Sequence, residues 1–499
     1  MIPMKQKGSF AIMFEAVSVT YIRMCLITGV FSLDSKIMPG SFHSYSRILC
    51  LPFLFLFCLF PSFGEAPVDL GEIEAQTEKT SVAGIGVATY LDRAFMQTTV
   101  SNIMVWGYDY AVLQAPWAQI GPETWQKNLE HGFVWDGAWF FTNQIMHPYH
   151  GSVYFNAARL NGFTFWESFP FAVYGSLMWE LFMERDYPSL NDFITTPLAG
   201  TAMGEVTYRL SLSFLNSDAT GYKKAAREVA AAILNPALLI NRLVYGDDIL
   251  KRNPPYREEV SLIIYSGINR TGDEYPLFRR TPHPFVGFSL NYGNPYDERE
   301  RYSPFDTFRI FSDWDLDYTN PGWEIFASGI LYGRKIYFPN GGRGIAGIYQ
   351  HFDYLQNFVY KFASNGIGIG TEMRPMQRME LFELQVHLYG IVLGALDSQY
   401  THDTQGGEYI FGSGAAAKLG VQFIFDEFSS SVFYYKYWFY TVRGADSHNT
   451  VGIFSFSVEH TLKQDLRIGA ELHVYDRWSN VGVDNSSRVG ARTYLAHTL

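Results

Sequence analysis

Two histidines and two carboxylates with chemical potential stand in an otherwise apolar stretch of the chain. His147 and His150 are three residues apart, a spacing that puts two side chains on one side of a helix, although Pro148 between them favours a turn or a helix start. One histidine could act as a general base if a nearby carboxylate orients it. The candidate catalytic residues are therefore His147, His150, Glu180 and Asp192.

The same residues carry no metal or cofactor signature. Zinc motifs place a glutamate inside the histidine pair or a third ligand at a fixed spacing, and neither is present here. The G-x-S-x-G elbow, the phosphate-binding loop and the dinucleotide fingerprint are also missing from the sequence. We therefore expect no metal and no cofactor, and a role other than catalysis is the preferred interpretation.

A structural role for these polar groups is the stronger alternative. Glutamates on apolar helices must be paired, or their pKa must rise, because burial penalises the charged carboxylate. Nearby arginines are natural partners. The predicted structural polar network consists of Arg159, Glu167, Glu205, Arg209, Asn241 and Arg242.

Composition limits the classes of protein that remain. The chain has 499 residues, with 38 Lys+Arg against 49 Asp+Glu, a net charge of −11, and 17% aromatic residues. Charged residues make up only 17%, whereas soluble globular proteins average about 25%. A composition that is acidic and rich in aromatic residues excludes a disordered polymer and a coiled coil, and it argues against nucleic acid as a partner.

The N-terminal segment is predicted to be a signal peptide. The run from Ile48 to Phe60 has 13 apolar residues, which is short for a membrane span of about 20 residues, and Arg47 precedes it. We assign residues 1–66 to this signal, with Met38 as an alternative start that would give a signal of ordinary length. All three cysteines lie within it, so the exported chain must be held by packing or by a bilayer rather than by disulfides.

Residues 67–250 are predicted to form a mostly helical domain. The apolar stretch from Phe163 to Met183 contains Glu167, Pro170 and Glu180, which favours a pair of buried helices over a membrane span. A further helix is predicted to start at Ser189, where Asp192 has the spacing of a capping box.

Residues 251–499 are predicted to form a β domain. Apolar and polar residues alternate over 382–389, 417–425, 454–458 and 466–475, and aromatic residues cluster over 434–440. Such alternation, separated by Gly-, Asn- and Asp-rich turns, is typical of a transmembrane antiparallel β-barrel. We predict a barrel of roughly 10–12 strands, preceded by a cluster of buried helices. Eight polar residues are predicted to face its lumen: Glu383, Gln385, His387, Lys418, Gln422, Arg467, Glu471 and His473.

Several short motifs support a resemblance to a known family. They are His147-Pro148-Tyr149-His150-Gly151, Phe165-Trp166-Glu167-Ser168, Gly200-x-x-x-Gly204-Glu205 and Asn235-Pro236. Over about residues 140–250 the chain resembles the bacterial domain of unknown function 3943 family. That resemblance implies an exported envelope protein with a barrel-like C-terminal half, and it implies no particular reaction.

These observations predict a protein of the bacterial outer membrane with a structural, binding or transport role. We expect the helical domain to cap or plug the barrel, and the lipid bilayer to be the main partner, with lipopolysaccharide or phospholipid as candidate ligands. One alternative is a lipid-modifying enzyme of the acyl hydrolase type that uses His147 or His150 with Glu180 or Asp192. The other is a secreted soluble β-protein, because lipocalin-like barrels and β-sandwiches also alternate.

Overall fold

The computed structural model describes most of the chain after the predicted signal peptide. The described residues are 89–215, 219–246, 258–272, 282–317, 321–357, 359–376, 382–397, 409–443, 446–481 and 485–499. The predicted signal peptide, residues 1–66, lies outside these ranges and stays a prediction.

Within the described residues seven α-helices precede the strands, and we call the segment Leu91–Tyr245 the helical part. The helices are α1 (Leu91–Ala111), α2 (Pro122–His131), α3 (His147–Arg159), α4 (Phe165–Met178), α5 (Leu190–Leu215), α6 (Gly221–Leu234) and α7 (Pro236–Tyr245). Two short π-helical segments lie at Thr142–Met146 and Trp179–Met183, and Pro116–Ala118 forms a 3-10 turn. None of the described helices is by itself long and apolar enough to cross a membrane. The bent pair of α6 and α7, which meet at 113°, satisfies the criterion by length and composition.

The strands form a closed antiparallel barrel. They are β1 (Val260–Gly272), β2 (His283–Tyr292), β3 (Arg301–Tyr302), β4 (Phe308–Asp315), β5 (Gly322–Tyr337), β6 (Gly341–Gln356), β7 (Lys361–Met376), β8 (Phe382–Asp397), β9 (Tyr409–Phe425), β10 (Phe428–Arg443), β11 (His448–Lys463), β12 (Leu466–Ser479) and β13 (Ser486–Thr498). Twelve of them form a ring in which β1 pairs with β13 and β5 pairs with both β4 and β6, while the two-residue β3 adds to β5. This confirms the predicted β-barrel and its strand number.

Alternation along the strands separates a polar interior from an apolar exterior. All eight residues predicted to face the lumen line one cavity of about 250 Å³ inside the barrel. Outward positions between them carry exposed apolar side chains, among them Ile369, Leu388, Phe456 and Leu472. A barrel with this polarity is of the outer-membrane type.

The described helices pack against the outside of the barrel wall. Lys418 bonds Asp353 across the lumen, so the residues next to Asp353 along β6 face outward, as Tyr354 does. The ring of Phe140 lies 5.6 Å from that of Tyr354, and the ring of Trp135 lies 5.1 Å from that of the outward Phe411. The prediction that the helical domain caps or plugs the barrel is therefore wrong for the described helices. Sequence periodicity distinguishes the two faces of a strand, but it does not reveal which face a distant helix covers.

Small residues allow the two central helices, α3 and α5, to approach closely. A Cβ atom on Gly200 of α5 would lie 2.7 Å from the Cα atom of Gly151 in α3 and 2.9 Å from the Pro148 carbonyl oxygen. Only glycine fits at such a distance, because backbone atoms have no room to move aside. This contact brings the start of α3 next to the first turns of α5.

Candidate functional site

Three of the four predicted catalytic residues converge in the helical part. His147 begins α3, Glu180 lies in the π-helical segment after α4, and Asp192 lies in the first turn of α5. Their potential ligand atoms all lie within 4.8 Å of one another. The two carboxylates are buried, and the His147 side chain keeps 14% of its surface exposed.

Local backbone geometry positions each of these groups. The Ser189 hydroxyl accepts a hydrogen bond from the Asp192 amide at 3.2 Å, which caps the start of α5. The Ser189 amide in turn donates to Oε2 of Glu180 at 2.7 Å, so Ser189 holds both Glu180 and Asp192 at the first turn of α5. Glu180 lies within one π-helical segment, and His147 follows directly after the other. Such segments are frequent at functional sites because they redirect side chains away from the regular helical positions.

The cluster contains more acid than the sequence suggested. Glu184 lies nearby, and its Oε1 accepts a hydrogen bond from the Trp179 indole at 2.5 Å. Burial, with a smaller opposing effect of His147, raises the pKa of Glu184 to about 7. Burial also raises the pKa of Glu180, and repulsion from Glu184 and Asp192 adds to that increase. Both carboxyl groups therefore hold their protons to a higher pH than exposed carboxyl groups do.

His150 occupies a different environment from His147. Its Nε2 lies 3.0 Å from the Tyr154 hydroxyl, and its ring packs edge-on against Trp179 at 4.9 Å. Burial, assisted by repulsion from His147, lowers the pKa of His150 to about 3. A neutral, enclosed histidine of this kind fits a packing position better than that of a base that must exchange protons.

The geometry around His147 limits its chemistry. Its Nε2 lies 3.9 Å from Oδ2 of Asp192, which is longer than a direct hydrogen bond. A histidine and two carboxylates are acceptable ligands for a divalent cation such as zinc, so these three residues could hold one after small movements. Among the described hydrogen bonds, none joins His147 or His150 to a serine, threonine or cysteine side chain. A serine-histidine nucleophile is therefore not assembled in this part of the chain.

The predicted polar network separates into four groups. In the first, Glu205 accepts from Nε of Arg159 at 2.7 Å and from Nε of Arg209 at 2.9 Å, and all three side chains are buried. Arg209 also reaches the β2–β4 connection through Asp306 Oδ1 at 3.3 Å. Despite the cost of burial, the two guanidiniums lower the pKa of Glu205. This group locks α3, α5 and the barrel rim together.

The other predicted network residues lie elsewhere. Glu167 is exposed and forms a capping box with Thr164, whose amide it accepts at 2.9 Å. Asn241 donates to Gln97 of α1 at 3.3 Å, and Arg242 pairs with Glu228 at the surface. Sequence reasoning missed Gln97 and Glu184. Neither residue stands out in the sequence, because Gln97 is followed by Thr98 and Thr99, and Glu184 by Arg185 and Asp186.

The fold and the site together define an outer-membrane-type β-barrel that carries a helical part with a buried histidine–carboxylate cluster. Residues 132–237, which contain this cluster, match the family model described as domain of unknown function DUF3943. The match confirms the resemblance seen in the sequence over this segment. The search of curated proteins gave no match.

Solved structures similar to this chain include three bacterial barrel proteins. One is OmpT of Vibrio cholerae with loop L8 deleted, which is 9% identical. The match covers 48% of this chain and 98% of the OmpT chain, with a TM-score of 0.25. The anion-selective porin from Comamonas acidovorans is 7% identical, with coverages of 48% and 99% and a TM-score of 0.24. An active-site mutant of outer membrane phospholipase A from Escherichia coli is 8% identical, with coverages of 49% and 93% and a TM-score of 0.28. At these values the similarity assigns no activity.

Proposed function

We propose that this protein resides in the bacterial outer membrane, where its barrel is a closed anchor with a structural or binding role and not an open channel. The observation that carries the proposal is the set of ion pairs that cross the lumen. The apolar outer wall supports the membrane location, because such a surface would be unfavourable in water. The predicted signal peptide agrees with export.

Three of these ion pairs join strands that are three positions apart around the ring. Lys418 on β9 bonds Asp353 on β6 at 2.6 Å, and Arg309 on β4 bonds Glu372 on β7 at 2.7 Å. Arg492 on β13 forms an ion pair with Asp313 on β4. The Tyr389 hydroxyl also donates to Asp353 at 2.5 Å. Side chains bonded across the lumen leave a cavity of about 250 Å³, which supports a barrel filled by its own side chains.

Conductance in a planar lipid bilayer tests this proposal. The purified protein is expected to give no stable single-channel steps under conditions in which a general porin gives them. Insertion must be shown independently, by electrophoresis in cold detergent with and without boiling, because folded barrels migrate differently from unfolded chains. Regular conductance steps from the inserted protein would refute the proposal of a closed anchor.

A second candidate function is modification of a lipid, and the convergence of His147, Glu180 and Asp192 supports it. In this role His147 would act as a general base on a water molecule, with Asp192 orienting the imidazole and the buried carboxyl groups supplying or storing protons. The substrate class would be an acyl ester of a phospholipid or of lipopolysaccharide. The packing of the helical part on the outer wall of the barrel supports this candidate, because bilayer lipid would surround that wall.

Parallel substitutions of the two histidines test the enzymatic candidate. His147→Ala should abolish release of fatty acid from labelled phospholipid or lipopolysaccharide, whereas His150→Ala should act mainly through stability, because His150 is enclosed by Tyr154 and Trp179. Trypsin resistance of the helical part shows whether each variant is folded. Equal activity of a folded His147→Ala variant and the parent protein would rule out His147 as the base.

A further inference from the structure

Three side chains of the kinds that bind metal ions meet at the start of α5, although they come from separate elements. His147 begins α3, Glu180 lies in the π-helical segment after α4, and Asp192 lies in the first turn of α5. One potential ligand atom of each lies within 4.8 Å of those of the other two. A search for short metal-binding motifs does not detect such a site, because the three residues are far apart in the sequence.

The protein's own hydrogen bonds leave coordinating atoms of this cluster unused. The Ser189 amide donates to Oε2 of Glu180, and within the part of the chain that the structure describes no hydrogen bond reaches Oε1. Asn191 donates to Oδ1 of Asp192 at 3.1 Å, while Oδ2 lies 3.9 Å from Nε2 of His147, too far for a hydrogen bond. Because Glu180 and Asp192 are each only 1% exposed, water has little access to these oxygens, and buried polar atoms need a partner.

The cluster also lacks a permanent positive charge. Asp136 and Glu184 interact electrostatically with Glu180, so four carboxyl groups share this region with Asp192 as the fourth. Among the described ion pairs, none joins any of the four to a lysine or an arginine, whereas the buried Glu205 binds two arginines. Buried carboxylates are normally paired with cations or coordinate a metal. A divalent cation would balance two of these four groups.

From this geometry we infer that His147, Glu180 and Asp192 bind one divalent transition-metal ion. An imidazole nitrogen and two carboxylate oxygens suit zinc or manganese and do not suit copper(I), which prefers sulfur ligands. The ligand atoms of a tetrahedral zinc ion are about 3.4 Å apart, so side-chain movements of roughly 1 Å are sufficient to close the present cluster around an ion. The 14% exposure of the His147 side chain gives the ion a route from the surface.

A bound ion joins the start of α3, the segment after α4 and the start of α5. Its place in the molecule does not depend on whether the barrel is a closed anchor, so this inference goes beyond the proposed function. It also competes with the enzymatic candidate, because an imidazole nitrogen that coordinates a metal ion cannot accept a proton at the same time.

Equilibrium dialysis against zinc tests the inference on the full chain, purified in detergent without an affinity tag and first treated with a chelator. The parent protein should retain one zinc ion per chain at micromolar free zinc. His147→Gln and Asp192→Asn each remove one ligand with little change of shape. Their affinity for zinc should fall by more than the 10–100-fold that loss of a second-shell partner typically causes. The matched controls are His131→Gln and Glu167→Gln, at exposed positions, and both should bind zinc like the parent protein.

Trypsin resistance of the helical part shows whether each variant is folded, and it gives a second readout. Zinc should raise the cleavage temperature by several degrees in the parent protein and in both controls but not in the ligand variants, because a ligand stabilises the folded state that binds it. If either ligand variant fails to fold, Glu180→Gln replaces it, since glutamine keeps an acceptor for the Ser189 amide. Zinc binding that is unchanged in a folded ligand variant would overturn the inference, and so would a parent protein that retains no stoichiometric zinc.

Discussion

Loss of the Glu205 charge should unfold the helical part before the barrel. Glu205 is fully buried between Arg159 and Arg209, and its two oxygens accept hydrogen bonds of 2.7 to 3.0 Å from both guanidiniums. Glu205→Gln keeps the size of the side chain but removes the charge, so Arg159 loses its buried counter-ion. Removing one partner of a buried ion pair typically costs about 3–5 kcal/mol, because the other charge stays desolvated.

The matched control is Glu167→Gln on α4. This glutamate is exposed and accepts only local hydrogen bonds from Thr164, so its loss should cost at most about 1 kcal/mol. For a unit of about 150 residues, the two estimates correspond to a fall in midpoint temperature of roughly 6 to 20 °C for Glu205→Gln and of a few degrees at most for the control.

Limited trypsin digestion at rising temperature in detergent measures the helical part, while the mobility shift on boiling measures the barrel in the same sample. Glu205→Gln should lower the temperature at which the helical part is cleaved and leave the barrel shift unchanged. Equal cleavage temperatures for the two glutamine variants would refute the reasoning that the buried charge is the source of stability. Simultaneous loss of the barrel shift would show that the two parts unfold as one unit.

Three other perturbations have expected outcomes in the same assays. Gly200→Ala should destabilise the helical part by about 1–3 kcal/mol, because its Cβ would lie 2.7 Å from the α3 backbone, whereas Gly107→Ala, which meets nothing within 4 Å, should be neutral or stabilising. Lys418→Met should lower the temperature of the barrel shift and spare the helical part, because it leaves the carboxylate of Asp353 buried without its counter-ion. The pKa of Glu184 is raised from 4.5 to about 7, so its contribution to stability is present below pH 4.5 and is lost as the pH rises through 7. Glu184→Gln should therefore flatten the decline in stability between pH 4.5 and pH 7 by up to one proton, about 1.4 kcal/mol per pH unit, and an unchanged pH profile would contradict the raised pKa.

The barrel could be predicted from local sequence because each strand carries its own evidence. Alternation along β8 and β12 places polar residues on one face and apolar residues on the other, and a closed sheet must enclose one of these faces. The same two-residue alternation predicts that Lys418 and Glu471 face the lumen, and it does not require the strand pairing. Pairing across the lumen remained undetermined, because Lys418 and Asp353 are 65 residues apart in sequence.

The first helix, α1, was less predictable because its polar and apolar residues do not separate into two faces. Along α1, buried polar residues such as Asn102 and exposed apolar residues such as Met104 show no helical period, so hydrophobic periodicity does not predict this helix. The capping spacing of Ser189 and Asp192 was visible because a helix cap depends on neighbouring residues alone.

Alternation along the strands was sufficient to predict the barrel class and the lumen-facing side chains, and the sequence also shows which residue types are available for chemistry. The meeting of His147, Glu180 and Asp192 is visible only in the folded protein, as are the packing of His150 against Trp179 and the place of Glu184 in the acidic cluster. The packing of the described helices on the outside of the barrel is likewise visible only in the folded protein. Alternation and capping depend on neighbouring residues, so they can be recognised in the sequence. The contacts of the cluster join residues on separate elements, and the approach of those elements depends on close glycine contacts such as that of Gly151 with Gly200.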